Sequence, residues 1–149
     1  MCDLKTKLAR TALLMVAQFA LPVHAEWFTV MGDRGDPTSD TVEVDPSVES
    51  AASGQKMVRV RVSYSASTTT RDGVPFQSYE AVAIFDCPKG TARFSRMAFY
   101  SNPLWDGRPH QTSVYSPTDI RPVEFLHITP NPGARIMRAA CQSRTIATN

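Results

Sequence analysis

The sequence predicts a mainly β protein of the α+β class, with an antiparallel sheet of about six strands and one C-terminal helix packed on it. Three observations support this fold class. Several segments alternate apolar and polar side chains, as strands with one buried face do, and Pro-, Gly- and Asp-rich turns separate them. The chain contains 11 prolines, which disfavour long helices. The best helical spacing of apolar residues lies near the C-terminus, over residues 134–143.

Residues 1–25 have the layout of a secretory signal peptide that is cleaved after Ala25. Its positively charged start consists of Lys5, Lys7 and Arg10. The apolar core over residues 11–21 is too short for a membrane span, which needs roughly 20 apolar residues. We therefore expect an exported protein, in the periplasm, on the cell surface or outside the cell. Residues 26–149 then form a single domain that does not insert into a membrane.

Removal of the leader also removes the net charge. The 149-residue chain has 16 basic and 14 acidic side chains, and the leader holds three of the basic ones and one of the acidic ones. Residues 26–149 therefore carry 13 of each kind. A neutral domain argues against nucleic-acid binding, which depends on neutralising phosphates, and gives no reason to expect a polybasic membrane patch.

The first part of the domain is predicted to contain two short strands, over residues 26–31 and 40–45. A Gly-, Asp- and Pro-rich loop over residues 32–40 joins them. Residues 46–52 are predicted to form one helical turn, because Asp45 can cap it and a proline follows at its first position.

Residues 55–67 give the strongest strand pattern in the chain. The residues that share its predicted buried face are Val58, Val60, Val62 and Tyr64. The residues that share its predicted solvated face are Arg59, Arg61 and Ser63. Such strict alternation fits an antiparallel sheet with one face in the core.

The second part of the domain continues with hairpins and ends in the helix. The predicted strands cover residues 77–87, 91–100 and 111–115. The first of them has apolar residues on both faces, which indicates a central position. In the second, alternation places Phe94 on the opposite face from Phe99. Residues 119–129 are ambiguous, and Asn131 can cap the final helix.

Cleavage of the leader removes Cys2 and leaves Cys87 and Cys141. An even cysteine count in an exported protein indicates a disulfide. A redox pair would have closer spacing than 54 residues, and two cysteines without nearby histidines make a poor zinc site. We therefore interpret the pair as a disulfide that holds the C-terminal helix to the end of a strand.

No catalytic or cofactor motif is present. Gly-x-Ser-x-Gly, a phosphate-binding loop and paired catalytic carboxylates are all missing, and His110 and His127 lie apart in sequence. We therefore expect a protein that is not an enzyme and has no catalytic residue, metal or cofactor. The least favoured alternative is an enzyme or a small-ligand carrier that uses a pocket between helix and sheet.

Two groups of residues are candidates for binding. Arg34, Gly35 and Asp36 form a tripeptide that can present a guanidinium and a carboxylate to an integrin, although a polar glycine turn is the simpler explanation. Arg59 and Arg61 lie on one strand face, either as a basic stripe for an acidic or sulfated partner or as an ordinary solvated face. Trp27 and Trp105 are likewise either anchors of the fold or platforms for a ligand.

The order of several motifs resembles the bacterial surface-adhesin protein E family. The matching segments are Trp27 after the leader, Val42-Glu43-Val44-Asp45-Pro46-Ser47, residues 57–64, Val82-Ala83-Ile84-Phe85-Asp86-Cys87, Arg93, Ile128-Thr129-Pro130-Asn131-Pro132 and Cys141. The resemblance implies an antiparallel sheet of about six strands with a C-terminal helix tied on by a Cys87–Cys141 bond.

The resemblance also implies an adhesin-like protein of a bacterial envelope that binds extracellular-matrix or other surface proteins. The family's named member is a lipoprotein that binds host vitronectin, laminin and plasminogen. Here Glu26 and Trp27 stand where a lipid-attachment cysteine would follow the leader. The alternative is therefore a periplasmic structural or envelope protein that is not an adhesin. Exposed sheet edges also allow a homodimer.

Overall fold

The computed structural model describes residues 27–142, apart from Pro46, Val48, Ala52 and Ser53. The predicted leader and its cleavage site lie outside the described residues. In order, the described chain forms β1 (Phe28–Met31), β2 (Thr41–Val44), β3 (Glu49–Ser50), β4 (Gln55–Thr69), β5 (Pro75–Asp86), β6 (Thr91–Tyr100), a short 3₁₀ helix (Pro103–Trp105), β7 (Gln111–Val114), β8 (Arg121–Pro122) and α1 (Gly133–Gln142). No helix in this part of the chain has the length and apolarity needed to cross a membrane.

The strands form one antiparallel sheet, as predicted. Six strands lie side by side in the order β1, β2, β4, β5, β6, β7, and the two-residue strands β3 and β8 pair with β4 and β6. The long hairpins β4–β5 and β5–β6 form its centre. The predicted central position of the strand over residues 77–87 is therefore confirmed.

One face of the sheet, here the core face, carries the hydrophobic core. The four residues predicted for the buried face of β4 are all buried. Phe85, Ile136 and Ala140 belong to the same cluster, so α1 covers the core face at one end. Phe125 and Ile128 cover it from the segment before the helix.

The predicted disulfide is confirmed. Cys87 directly follows β5 and Cys141 lies in the last turn of α1, with the sulfur atoms 2.10 Å apart and the Cα atoms 5.6 Å apart. At the other end of the helix, Asn131 Oδ1 accepts a hydrogen bond of 2.9 Å from the Gly133 amide, as predicted for a capping side chain.

Two local predictions were wrong. Phe94 shares the core face with Phe99, because a bulge shifts the pairing of β6 between the partners of Val82 and Ala83 and so reverses the alternation. Glu49–Ser50, inside the predicted helical turn, instead form β3 on the edge of β4. Pairing with β4 satisfies backbone groups that an isolated helical turn would leave to solvent.

Candidate functional site

The candidate site lies on the face of the sheet opposite the core. Alternation along β4, β5 and β6 places one row of residues next to another on this side. We call the six residues the open face: Met57, Arg59, Val82, Ile84, Arg93 and Arg96. All six are exposed or half-buried, and α1 packs on the other side of the sheet.

At one margin of the open face, a buried carboxylate holds two arginines. Glu43 is fully buried, and its oxygens accept hydrogen bonds from Arg61 Nε at 2.5 Å and Arg34 Nε at 2.8 Å. Thr29 Oγ1 donates a third bond at 3.1 Å. The prediction that Arg61 lies on a solvated face is therefore wrong, because its side chain is only 17% exposed.

Two indole rings cover Arg61. Its guanidinium carbon lies 4.3 Å from the ring centroid of Trp27 and 3.9 Å from that of Trp105, within the range of cation–π attraction. The rings exclude water from the guanidinium, which strengthens its pairing with Glu43. Trp27 and Trp105 thus act as anchors of this part of the fold.

The 3₁₀ turn that carries Trp105 is held by two buried serines. Leu104 and Trp105 have φ angles of 55° and 59°, a left-handed conformation that is unfavourable for these residue types. The Leu104 amide donates to Ser63 Oγ at 2.9 Å, and the Trp105 amide donates to Ser78 Oγ at 3.0 Å. Ser63 and Ser78 face each other across β4 and β5.

Sequence reasoning missed the role of this serine pair and wrongly placed Ser63 on a solvated face. The one signal for it was the occurrence of small hydroxyl residues at paired positions of two strands. That signal becomes readable only when the register of β4 and β5 is known.

Arg59 belongs to the same group but remains half exposed. Its guanidinium pairs with Asp45, which is nearly buried, and lies 5.5 Å from the Trp27 ring centroid. Burial of the Asp45 carboxylate acts to raise its pKa. Hydrogen bonds from Arg59 and from the Ser47 amide outweigh that effect and hold the pKa below its ordinary value.

Both charged residues of the Arg-Gly-Asp loop are hydrogen-bonded, Arg34 to the rest of the protein and Asp36 within the loop. Besides its bond to Glu43, Arg34 donates from Nη2 to the Trp27 carbonyl at 2.9 Å. Asp36 Oδ1 accepts from the Thr38 hydroxyl at 2.6 Å and from its amide at 2.8 Å, and these two bonds lower the pKa of Asp36.

The base of this loop depends on a glycine. Gly32 has a φ of +84°, and a Cβ at that position would lie 2.2 Å from the Asp40 carbonyl oxygen. The fold thus brings Arg34, Arg59 and Arg61 together around Trp27, whereas Asp36 bonds within its own loop.

A recess of about 230 Å³ lies on this side of the sheet, next to Trp27. Arg59, Arg96, Glu80 and Tyr100 are among its lining residues. Tyr100 donates to Glu80 at 3.3 Å, and burial together with the Glu80 charge raises the pKa of Tyr100. Among the described residues no carboxylate forms an ion pair with Arg96. The recess can therefore offer a guanidinium and aromatic surface to a partner.

The geometry gives little support to catalysis or metal binding. Within the described chain, no group of three or more His, Cys, Asp and Glu side chains could hold a metal ion. Ser101 Oγ lies 3.3 Å from His110 Nδ1, but this pair is exposed, and no described carboxylate is hydrogen-bonded to the ring.

Comparison with known proteins gives one match. The model of a family described as surface-adhesin protein E matches residues 27–142, most of the chain. No curated protein and no solved structure matches the sequence significantly. The matched residues span every described strand and α1, together with both cysteines.

Proposed function

Since the chain belongs to the surface-adhesin protein E family, we propose that this surface adhesin-like protein is exported and binds extracellular-matrix or other surface proteins through its open face. The observation that carries this proposal is the recess beside Trp27, where Arg59 and Arg96 meet aromatic side chains on an uncovered sheet face. We further propose that the protein is not an enzyme and works by binding alone.

The composition of this face suits a protein partner. Trp, Tyr and Arg are the residue types most enriched where protein interfaces gain their binding energy. Here Trp27, Tyr100 and two arginines line one recess, and the half-buried Val82 and Ile84 provide apolar contact area beside it. Such a surface combines an apolar centre with charges that can pair at its margin.

The charge of the face favours an acidic partner. Arg59 lies opposite Val82, which lies opposite Arg96, so the two arginines are separated by one strand, about 10 Å between their Cα atoms. Arg93 follows on the same side of β6. Because Asp45 already pairs with Arg59, Arg96 is the arginine best placed to bind a carboxylate or sulfate of the partner.

A charge reversal at Arg96 tests the proposal. The purified protein is passed over immobilised vitronectin and laminin, and Arg96→Glu is compared with Arg138→Glu, which reverses an exposed arginine on α1 away from the open face. We expect Arg96→Glu to weaken binding at least about tenfold and Arg138→Glu to leave it within about twofold. Equal binding by both variants, or no binding by the parent protein, would contradict the proposal.

The location and assembly of the protein are tested separately. Protease shaving of intact cells distinguishes a surface protein from the alternative, a periplasmic structural or envelope protein. Protein found in the periplasm alone would contradict adhesion.

A homodimer is the further proposal for the edge strand β7, where Val114 is 78% exposed. Analytical ultracentrifugation of the purified protein measures it directly.

A further inference from the structure

A second cavity lies on the core face, away from the open face. It has a volume of about 220 Å³ and sits between strands β4 to β6 and the segment over residues 115–126. Its aromatic lining consists of Tyr64, Phe76, Tyr79, Phe94, Phe99 and Tyr115. Five of these rings, all except Tyr115, form neighbouring pairs with centroids 5.3 to 6.3 Å apart, edge to face or tilted. A flat apolar molecule would find ring faces and edges on several sides.

One lining residue carries an unsatisfied polar group. Tyr79 is 2% exposed, and its hydroxyl has no hydrogen-bond partner among the described residues. Burial raises the pKa of Tyr79 well above its ordinary value, so the hydroxyl stays protonated and remains a donor. Because a buried hydroxyl without a partner is costly, a ligand that accepts its hydrogen bond would remove that cost.

The mouth of the cavity carries two arginines and three carboxylates, all of them in ion pairs. Arg71 binds Glu124 at 2.6 Å, and Arg121 binds Asp72 at 2.6 Å and Asp119 at 3.0 Å. Each guanidinium is therefore already paired, and the rim offers no free cation to an anionic ligand. Exposed ion pairs contribute little stability, so the mouth can open at small cost.

We infer that this cavity binds a small neutral molecule of one or two rings that carries a hydrogen-bond acceptor for the Tyr79 hydroxyl. The size agrees, since an engineered cavity of about 150 Å³ holds benzene and this one is larger. The site is independent of the proposed adhesive function, because Tyr79 and Val82 face opposite sides of β5.

Two probes of similar size separate the role of the hydroxyl from that of the rings. Acetophenone has a carbonyl acceptor, whereas ethylbenzene has none. Titrations followed by amide chemical shifts should give saturable changes for both probes at residues that line the cavity. Tyr79→Phe should weaken the binding of acetophenone about two- to tenfold and leave the binding of ethylbenzene within about twofold. The same loss for both probes, or no loss for either, would overturn the assignment of Tyr79.

A second pair of variants keeps the test valid if Tyr79→Phe disturbs the core. Leu126→Trp at the half-buried wall should fill space and weaken the binding of both probes, whereas Arg138→Glu, at an exposed position of α1 outside the cavity lining, should change the binding of neither. Absence of saturable shifts with both probes in the parent protein would overturn the cavity as a ligand site, and would leave the matrix-binding result unaffected.

Discussion

Arg61 and Glu43 form an ion pair in which the carboxylate is fully buried and the guanidinium is enclosed by two indole rings. This pair joins β2 to β4 at the margin of the open face. Glu43 also binds Arg34, and Arg61 also lies 4.0 Å from Glu80, but both of these further partners are more exposed to solvent. Loss of either member of the desolvated pair therefore leaves a buried charge poorly compensated. The pair therefore determines whether the neighbouring surface keeps its shape.

Replacement of Glu43 should be strongly destabilising. Glu43→Gln keeps the size of the side chain but removes the closer counter-charge of the enclosed Arg61, whose other carboxylate partner, Glu80, lies 4.0 Å away and is 40% exposed. We expect a loss of about 3 kcal/mol in the free energy of unfolding, measured by urea denaturation. Arg34→Gln removes the half-exposed partner of the same carboxylate and should cost less than about 1 kcal/mol. Equal losses for the two variants would contradict this account of the buried pair.

The Ser78 hydroxyl should be required for the position of Trp105. Ser78→Ala removes the acceptor of the Trp105 amide and should cost about 1–3 kcal/mol, because the amide is left unpaired in an unfavourable backbone conformation. Trp105 Nε1 donates to the Tyr79 carbonyl at 2.9 Å, so its indole N–H resonance reports the turn. We expect that resonance to shift in Ser78→Ala and to stay in place in Ser116→Ala, an exposed serine outside the turn. An unshifted resonance in Ser78→Ala would show that other contacts hold the turn.

The sequence was a good guide to the core face and a poor guide to the opposite face. Alternation along β4 correctly separated the buried valines from the arginines, because a strand turns successive side chains to opposite sides. It could not show that Arg61 is covered, since the cover comes from Trp27 and Trp105, which are distant in sequence. Alternation tells which residues share a face and leaves open what packs on that face.

The bulge in β6 shows a second limit. One extra residue opposite β5 moved Phe94 to the core face, and the side-chain pattern of β6 alone carries no mark of it. The disulfide was predictable because it needed only the end of β5 and the helical character of the last segment, both of which the local pattern gives. The aromatic cavity depends on the bulge, which turns Phe94 to the core face, and on the segment over residues 115–126, which covers that face. The sequence pattern did not predict a cavity at this place.

Removal of the disulfide should loosen α1 first. A bond between residues 54 apart in sequence should contribute about 4 kcal/mol in the chain-entropy treatment. The double variant Cys87→Ser with Cys141→Ser should lose about that amount in urea denaturation, and amide exchange should accelerate in α1 more than in β5. A thiol titration of the native parent protein should find both cysteines oxidised. Two free thiols, or uniform exchange across helix and sheet, would contradict the proposed role.

The ionised Asp45 carboxylate should stabilise the folded protein, and this contribution should be lost at low pH. Its pKa is lowered in the folded protein, so its stabilising effect is complete above the ordinary value of 3.8 and is lost as the pH falls through the lower folded value. The difference in unfolding free energy between the parent protein and Asp45→Asn should be constant from about pH 5 to 7 and should shrink below about pH 4. Urea titrations at each pH measure it. A difference that is unchanged down to pH 2 would show that charge at Asp45 is not the cause.

The Arg-Gly-Asp interpretation can be tested against the proposed open face in one comparison. Asp36→Ala removes the carboxylate that an integrin would bind, and Asp33→Ala is a matched control in the same exposed loop. Because the Asp36 carboxylate already binds Thr38 and Arg34 is held by Glu43, we expect neither variant to change binding to an immobilised integrin or to immobilised vitronectin by more than about twofold. Loss of binding in Asp36→Ala, with Asp33→Ala unaffected, would move the adhesive site from the sheet to the loop. In that case Arg96→Glu should bind like the parent protein, so the two variants together assign the contact to one surface.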